Sequence, residues 1–345
     1  MDSTILLFLL QDGITNGAIY ALLALALVLV FAVTRVILVP QGEFVTYGAL
    51  TLAMLDLGKV PGTAGLLIVF AALALAVEVW ANRRRLSLKL ANHLFLFYVL
   101  PPLIIVTLTW WLAPMQLGPV PQALLAIAIV APMGPYLYRI AFQPLSEASI
   151  LVLLIASVGA HFSMTGLCLL FFGPEGLRAR PLIPGGFRAG PLPVSGQSIA
   201  IYLAALGLML GLYFFFGRTI LGKALRATAV NRLGARLVGV RTALSGQLAF
   251  LIAAAIGALS GVLIAPVTTV FYDSGFLIGL KGFVAAIVGG LVSYPLAAAA
   301  AVFVGIVEAF ASFWASSFKE IIVFMIIIPV LLVRSLTTTH TEDEE

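Results

Sequence analysis

Charged residues are scarce in this chain of 345 residues, of which Asp, Glu, Lys and Arg together make up only 10%. Hydrophobic residues make up 62%, whereas soluble domains are usually about 45 to 50% apolar and about 25% charged. A water-soluble fold could not bury that much apolar surface. The composition therefore excludes a soluble protein and predicts one that lies in a membrane.

Cysteine is nearly absent as well, since Cys168 is the single one in the chain. This excludes a disulfide framework and a cysteine-based metal site. The N-terminal residues 1–4 lack the basic stretch of a secretory signal, so we expect the first apolar segment to be retained. The alternating segments of about 10 residues that would indicate a membrane β-barrel are also missing.

Long apolar runs are abundant, and several approach the roughly 20 residues that a helix needs to cross a bilayer. We therefore predict an all-α, polytopic transmembrane helix bundle with about eight to eleven membrane segments. The predicted segments are 13–34, 42–57, 62–80, 93–112, 122–140, 149–172, 198–216, 244–266, 276–293, 295–316 and 319–334. The segments 42–57 and 276–293 are short and rich in Gly or polar residues, which is typical of half-helices or re-entrant pieces.

Basic residues give the chain a formal charge of +5, and they concentrate in loops. Because Lys and Arg favour cytoplasmic loops, the positive-inside rule explains this pattern better than a nucleic-acid surface does. It places the N-terminus outside and the C-terminus in the cytoplasm. The residues on the cytoplasmic side are then Arg35, Arg83, Arg84, Arg85, Lys89, Arg139, Arg218, Lys223, Arg226, Arg232, Arg236, Arg241 and Arg334.

Residues 1–336 are expected to form a single transmembrane domain, and the acidic tail 337–345 is expected to be disordered. Two connections within the domain are long. The stretch 173–197 is dense in Pro and Gly and is predicted to be an external loop. The stretch 217–241 contains no Pro and is rich in Ala, Leu and Arg, which predicts one or two short amphipathic helices on the cytoplasmic side.

Six sequence blocks follow one another in a distinctive order. They are NGAIYALLALALVLVFAVTRVI (16–37), QGEFVTYGAL (41–50), RTILGKALRATAVNRLGARLVGV (218–240), AAAIGALSGVLIAP (253–266), GLKGFVAAIVGGLVSYP (279–295) and GIVEAF (305–310). In order and spacing they resemble the integral-membrane permeases of branched-chain amino acid ABC importers. That family commonly has Asn-Phe-Ala-His before the Gly-Glu, whereas Leu38-Val39-Pro40-Gln41 stands here, a difference that could alter the substrate. Residues 80–200 match no family motif.

The resemblance implies the permease subunit of an ATP-driven importer for branched-chain or related amino acids. It also implies three kinds of partner: cytoplasmic ATP-binding subunits, a second permease subunit that is identical or different, and a periplasmic substrate-binding protein. In related importers the loop equivalent to 217–241 docks into a groove on the ATPase. We therefore expect ATPase coupling by Arg226, Arg232, Leu233, Gly234, Ala235, Arg236 and Gly239, with the arginines pairing with acidic ATPase residues. The alternative is an ordinary positive-inside loop.

The same loop carries a partial nucleotide-binding motif, because residues 217–223 fit G-x-x-x-x-G-K. Ala224 stands where a P-loop needs Ser or Thr to hold Mg²⁺, and no strand is predicted before it. Motifs of metalloproteases and serine hydrolases are missing too. We therefore expect no ATPase site of its own, no enzyme activity, no cofactor and no metal.

Ionisable residues inside membrane segments are costly and are therefore functional candidates. We assign Gln41, Gly42 and Glu43 to the substrate pathway, and a structural hydrogen-bonding role for Glu43 is the alternative. Lys281 and Glu308 are expected to form an intramembrane charge pair with a structural role.

Several other residues are interpreted as structural. Glu78 is expected to snorkel or to form a surface ion pair beside the Arg83 cluster. His93 and His161 are expected to be satisfied interior or interface histidines, with a metal or proton-relay role as the alternative. Glycines four residues apart predict close helix packing, within this subunit or between subunits; they are Gly207 with Gly211 and Gly257 with Gly261.

A second class of function stays open, namely a secondary transporter of small organic solutes coupled to an ion gradient. Glu43 and Glu308 would suit it, because such carriers use buried acids near broken helices. The basic, glycine-punctuated stretch 217–241 would have no purpose there.

Overall fold

The computed structural model describes residues 3–83, 88–190, 192–291 and 293–337. In these ranges the chain forms helices α1 Ser3–Thr34, α2 Gln41–Asp56, α3 Gly62–Ala81, α4 Leu88–Leu94, α5 Leu100–Leu112, α6 Pro119–Val130, α7 Met133–Leu137 and α8 Ile150–Phe172. The second half contributes α9 Gly196–Arg218, α10 Ile220–Val230, α11 Arg232–Leu237, α12 Thr242–Ile264, α13 Ser274–Val288, α14 Tyr294–Trp314, α15 Lys319–Met325 and α16 Ile327–Thr337. The predicted tail lies outside the described residues except for Thr337.

Nine helical stretches of the described residues are long and apolar enough to cross a membrane. This number lies within the eight to eleven segments expected, and the prediction of an all-α polytopic bundle is confirmed. One element was not predicted. Within the loop 173–197, strands β1 Gly186–Ala189 and β2 Leu192–Ser195 pair antiparallel, with Gly186 opposite Ser195.

Helix α1 forms the centre of the bundle, and it is buried from about Gly17 to Val30. It is apolar on every side, which is typical of a helix surrounded by other helices. Glycines allow α14 to approach its backbone closely. A Cβ at Gly17 would lie 2.7 Å from the Cα of Val302, and a Cβ at Gly305 would overlap the backbone of Gly13 and Gly17.

The predicted glycine pairs behave differently from each other. A Cβ at Gly257 would lie 2.7 Å from the Cβ of Phe44, and one at Gly261 would overlap the carbonyl oxygen of Val45. This pair therefore packs α12 against α2 within the chain. Gly207 and Gly211 on α9 have nothing within 4 Å of their Cβ positions in the described structure.

Helices α2 and α13 are too short to cross the bilayer. They contain 16 and 15 residues, which span about 24 and 22 Å against a hydrocarbon core of about 30 Å. A non-helical segment that ends in a turn, 35–40, leads back into the bundle before α2 begins. There the Ser157 hydroxyl accepts a hydrogen bond from Val39 N at 2.9 Å and donates one to Ile37 O at 2.7 Å. Helix α2 therefore starts inside the bundle, beside the middle of α8.

The two short helices contact each other through glycine backbone. A Cβ at Gly42 would overlap the carbonyl oxygen of Gly275, and a Cβ at Gly279 would lie 2.9 Å from the Cα of Gly42. We expect Gly42→Ala to lower the yield of folded protein strongly, because neither backbone can move aside without disturbing its helix. The yield by size-exclusion chromatography and the thermal stability in detergent measure this.

Gly159→Ala on α8 is the matched control for that substitution. Nothing lies within 4 Å of its Cβ position in the described structure, and alanine favours a helix over glycine by about 0.5 to 1 kcal/mol. Its stability should equal or exceed that of the wild type. If Gly42→Ala folded as well as Gly159→Ala, the close approach of α2 and α13 would be wrong.

The two ends of the bundle carry different structures. At one end, which we call the short-helix face, Leu225 of α10 packs with Leu29 and Val33 of α1. At the other end, the hairpin face, the Gln11 side chain donates a hydrogen bond to the Pro193 carbonyl at 3.0 Å. The stretches 173–197 and 217–241, predicted on opposite sides of the membrane, thus lie at opposite ends of the bundle.

Candidate functional site

A buried polar cluster lies where α2 begins, and it is formed by three helices. Glu43 is fully buried in the first turn of α2, and His161 of α8 places its Nδ1 3.0 Å from Glu43 Oε1. The imidazole of His161 stacks on Phe276 of α13, with ring centroids 4.6 Å apart. Thr46, one turn further along α2, packs on Gly275 of α13. We call Glu43, Thr46 and His161 the polar cluster.

The polar cluster has unused hydrogen-bonding capacity. The hydroxyl of Thr46 lacks a hydrogen-bond partner among the described residues, and the Glu43 carboxylate is contacted by His161 Nδ1 at 3.0 Å and by the Thr165 side chain, which leaves part of its acceptor capacity unused. Buried polar atoms are normally hydrogen-bonded, because leaving them unpaired costs free energy. His161, which no carboxylate adjoins in sequence, was expected to be a satisfied interior or interface histidine. It is buried, and the fold brings its Nδ1 to 3.0 Å from Glu43 Oε1.

The three predicted pathway residues point in different directions. Gln41 faces α12, where its Nε2 donates a hydrogen bond to Ala253 O at 3.0 Å while its Oε1 has no partner in the described structure. Gly42 faces Gly275 of α13. Of the three, Glu43 alone belongs to the polar cluster, and the other two pack α2 against its neighbours.

Lys281 and Glu308 lie together between α13 and α14. Lys281 Nζ is 2.5 Å from Glu308 Oε1 and 3.1 Å from Glu320 Oε1. The Tyr20 hydroxyl of α1 donates a hydrogen bond to Glu308 Oε2 at 2.6 Å. Neither Glu320 nor Tyr20 was predicted from the sequence to belong to this group. A lone acid in the predicted segment 319–334 was the signal that could have found Glu320.

Two short helices form the predicted coupling region, and each has a capping side chain. Thr219 Oγ1 accepts a hydrogen bond from Gly222 N at 2.9 Å, and Asn231 Oδ1 accepts one from Gly234 N at 2.8 Å. Such caps satisfy the free N–H groups of a helix N-terminus and fix where it begins. Helices α10 and α11 therefore have defined ends.

Apolar side chains project into the surroundings from these two helices. Leu233 is 67% exposed, and the other members of this surface are Val230, Leu237 and Val238. Gly239 follows α11 with a positive φ of 86° and an open surface. Ala235 is buried beneath, and Gly234 is half-buried. Contiguous exposed apolar groups mark interaction surfaces. We call Val230, Leu233, Leu237 and Val238 the apolar patch.

The three arginines of the coupling region have different surroundings within this chain. Arg232 donates a hydrogen bond to the Ser146 carbonyl at 3.0 Å, and Arg236 lies 3.1 Å from Glu147 Oε1. These contacts hold α11 against the segment that precedes α8. Arg226 is exposed and forms no hydrogen bond or ion pair with the residues described, so it alone of the three is free in this chain.

Glu78 also has a different partner from the one expected. Its carboxylate pairs with the guanidinium of Arg139, which is nearly buried. Arg83 instead lies over the ring of Trp80 at 5.4 Å. Arg84, Arg85 and the side chain of His93 lie outside what the structure describes.

Comparison with known proteins is consistent with these features. The family described as the permease component of branched-chain amino acid transport systems matches residues 9–333. The high-affinity branched-chain amino acid transport system permease protein BraD of Pseudomonas aeruginosa is 32% identical over 235 residues, covering 65% of this chain and 76% of its own length. LivH of Escherichia coli, named as a permease protein of the same kind of system, is 30% identical over 215 residues, covering 60% and 70%.

LivH of Salmonella typhimurium gives a similar result, with 31% identity over 215 residues that cover 60% of this chain and 70% of the relative. No solved structure is significantly similar to the chain. The family match extends over nearly the whole bundle, including α2, α10, α11 and α13. This chain, a multi-pass membrane protein, therefore belongs to the family of permease components of branched-chain amino acid transport systems.

Proposed function

We propose that this chain is the transmembrane permease subunit of an ATP-driven importer in the bacterial inner membrane. With a second permease subunit it forms the translocation pathway for branched-chain or related amino acids. Its relatives BraD and LivH carry the name of such a transport system, which supports the substrate class. A periplasmic binding protein delivers the substrate, and cytoplasmic ATP-binding subunits drive its passage.

The observation that carries this proposal is the apolar patch on the short-helix face. Exposing several large aliphatic side chains on two capped helices is unfavourable unless another surface covers them. A short amphipathic helix that inserts into a groove on a partner is a common docking mode. Because Arg232 and Arg236 fix α11 to the segment before α8, movement of a docked ATPase would be passed to the bundle.

The proposed orientation places the short-helix face in the cytoplasm and the N-terminus outside. Basic side chains along α10 and α11 support it, since such residues favour the cytoplasmic side. The G-x-x-x-x-G-K stretch supports a separate ATPase, because helix α9 precedes it where a P-loop requires a strand. ATP hydrolysis on a separate cytoplasmic subunit is consistent with both the orientation of the short-helix face and the incomplete nucleotide-binding motif.

An ion-coupled secondary transporter is the second candidate. It is favoured by the buried Glu43 and by the half-helices α2 and α13, since broken helices and buried acids occur at the sites of such carriers. It gives no role to the apolar patch, and we therefore rank it below the importer.

Reconstitution distinguishes the two functions. Proteoliposomes should contain this chain with the second permease and ATPase subunits of its own system, and the binding protein is added outside. We expect leucine uptake that requires ATP, and an ATPase variant that binds but does not hydrolyse ATP should abolish it. Leucine uptake by this chain alone, driven by a proton or sodium gradient, would contradict the importer.

A further inference from the structure

We propose that the polar cluster binds the ammonium group of the transported amino acid and that the apolar cavity beside it takes the aliphatic side chain. This inference rests on the proposed function, because it assigns a substrate site within that pathway. It depends on three observations: the acceptor atoms with unused capacity, the sign of the local charge and the position of the cavity.

The acceptor atoms of the cluster match a group with several donors. Glu43 supplies two carboxylate oxygens, contacted by His161 at 3.0 Å and by the Thr165 side chain, and Thr46 supplies a hydroxyl oxygen that has no hydrogen-bond partner in the described part of the chain. A carboxylate has about four lone-pair sites, so these contacts leave acceptor capacity unused. Residues three apart on a helix share a face, so these oxygens lie on the same side of α2. An ammonium group has three N–H donors and no acceptor. Charge-assisted hydrogen bonds to a carboxylate are among the strongest in proteins.

The local charge also favours a cation. Glu43 has no Lys or Arg within ion-pair distance among the described residues, and its one ionisable neighbour at that distance is His161. Lys281, which could have neutralised this region, is held by Glu308 and Glu320 instead.

An apolar cavity of about 170 Å³ adjoins the cluster. Phe276 joins the two, because its ring stacks on His161 and also lines the cavity. The other walls include Ile37, Leu38, Val39, Leu154 and Phe283. A cavity with such apolar walls favours a branched aliphatic chain, since each buried methylene is stabilised by the hydrophobic effect. The ammonium group of one amino acid would therefore bind at the polar cluster on one side of Phe276, and its aliphatic side chain would bind in the cavity on the other side.

Other buried polar residues of the bundle show what a purely structural role looks like. The Thr51 hydroxyl on α2 bonds to the Tyr47 carbonyl and to the Thr63 hydroxyl. Glu308 is likewise satisfied by Lys281 and Tyr20. Thr46 has no such partner although it is fully buried, and the equally buried Glu43 has no Lys or Arg partner among the described residues, its contacts being His161 and Thr165. The geometry therefore fits a binding site better than a packing contact.

Two threonines on the same helix give a matched test. The complete transporter is purified with its own subunits but without the binding protein, and binding of radiolabelled leucine is measured without ATP. Thr46→Val should weaken leucine binding several-fold and leave thermal stability unchanged, because its hydroxyl has no partner to lose. Thr51→Val should lower thermal stability and leave leucine affinity unchanged. The reverse pattern would overturn the proposal.

Glu43→Gln removes the charge and nearly keeps the shape. We expect at least about a tenfold loss of leucine affinity, since a charge-assisted hydrogen bond is lost, with thermal stability equal to or above that of the wild type. In competition, 3-methylbutylamine, which keeps the ammonium, should displace leucine, and 4-methylpentanoate, which lacks it, should not. Competition by 4-methylpentanoate alone, or no leucine binding to the wild type, would contradict the assignment.

This test separates the inference from the proposed function. If the Glu43→Gln transporter imported leucine with ATP at an unchanged KM and rate, the proposed substrate site would be wrong, but the proposed ATP-driven import would still hold. If leucine binding required Glu43 but leucine uptake needed no ATP, the proposed ATP-driven import would be wrong, but the proposed substrate site would still hold.

Discussion

Replacing Lys281 with methionine should sharply reduce the amount of folded protein. The substitution leaves two carboxylates, Glu308 and Glu320, without the ammonium group that lies 2.5 and 3.1 Å from them. Removing one partner of a buried ion pair typically costs about 3 to 5 kcal/mol, because the remaining charge has lost both water and its counter-ion. That is a large part of the stability of most domains. Folded yield and unfolding temperature in detergent measure the effect.

Glu308→Gln provides the graded comparison for this prediction. It should destabilise less than Lys281→Met, because Lys281 keeps Glu320 as a partner. The double variant Lys281→Met with Glu308→Gln should be more stable than Lys281→Met alone, since one uncompensated charge is gone. If Lys281→Met kept the wild-type unfolding temperature and changed leucine affinity instead, the pair would belong to the substrate pathway.

Leu233→Glu should nearly abolish ATP-driven uptake without unfolding the protein. Leu233 is 67% exposed in the apolar patch, so a charge there costs little folding free energy, whereas in a docked interface it would be buried unpaired. We expect at least about a tenfold loss of uptake and weaker co-purification of the ATPase subunits, which corresponds to about 1.4 kcal/mol or more. Gly239→Glu should have a similar effect, but its positive φ adds backbone strain.

Phe187→Glu is the matched control, since Phe187 is also an exposed apolar residue and lies on the hairpin face. It should leave the association with the ATPase unchanged. Should Leu233→Glu retain both ATPase association and ATP-dependent uptake, the coupling role of the apolar patch would be wrong.

Helices could be predicted well from the sequence because their signals are local. The segment 62–80 corresponds to α3 Gly62–Ala81, and 149–172 to α8 Ile150–Phe172. Helix α1 starts at Ser3, ten residues before the predicted 13, because Gln11 and Asp12 lower the hydropathy without breaking a helix. The two short helices of 217–241 follow from the absence of proline and from amphipathic spacing.

The candidate site could be predicted only in part, because its contacts join distant parts of the chain. Glu43 stood out as an acid in an apolar segment, but nothing local indicates that α8 brings His161 to it. Arg232 and Arg236 looked free because their partners, Ser146 and Glu147, lie in a region without a family motif. Pairings of this kind are set by tertiary packing, which single-residue patterns do not encode.

The glycine contact between α2 and α13 has a mechanical consequence. Interlocking ridges of side chains normally fix how one helix is rotated against its neighbour, and Gly42, Gly275 and Gly279 provide no such ridges. The two half-helices are instead positioned by direct contact of their backbones, in which a Cβ at Gly42 would overlap the carbonyl oxygen of Gly275. Because Glu43 directly follows Gly42 in the first turn of α2, any shift of α13 against α2 would be transmitted to its carboxylate without an intervening side chain.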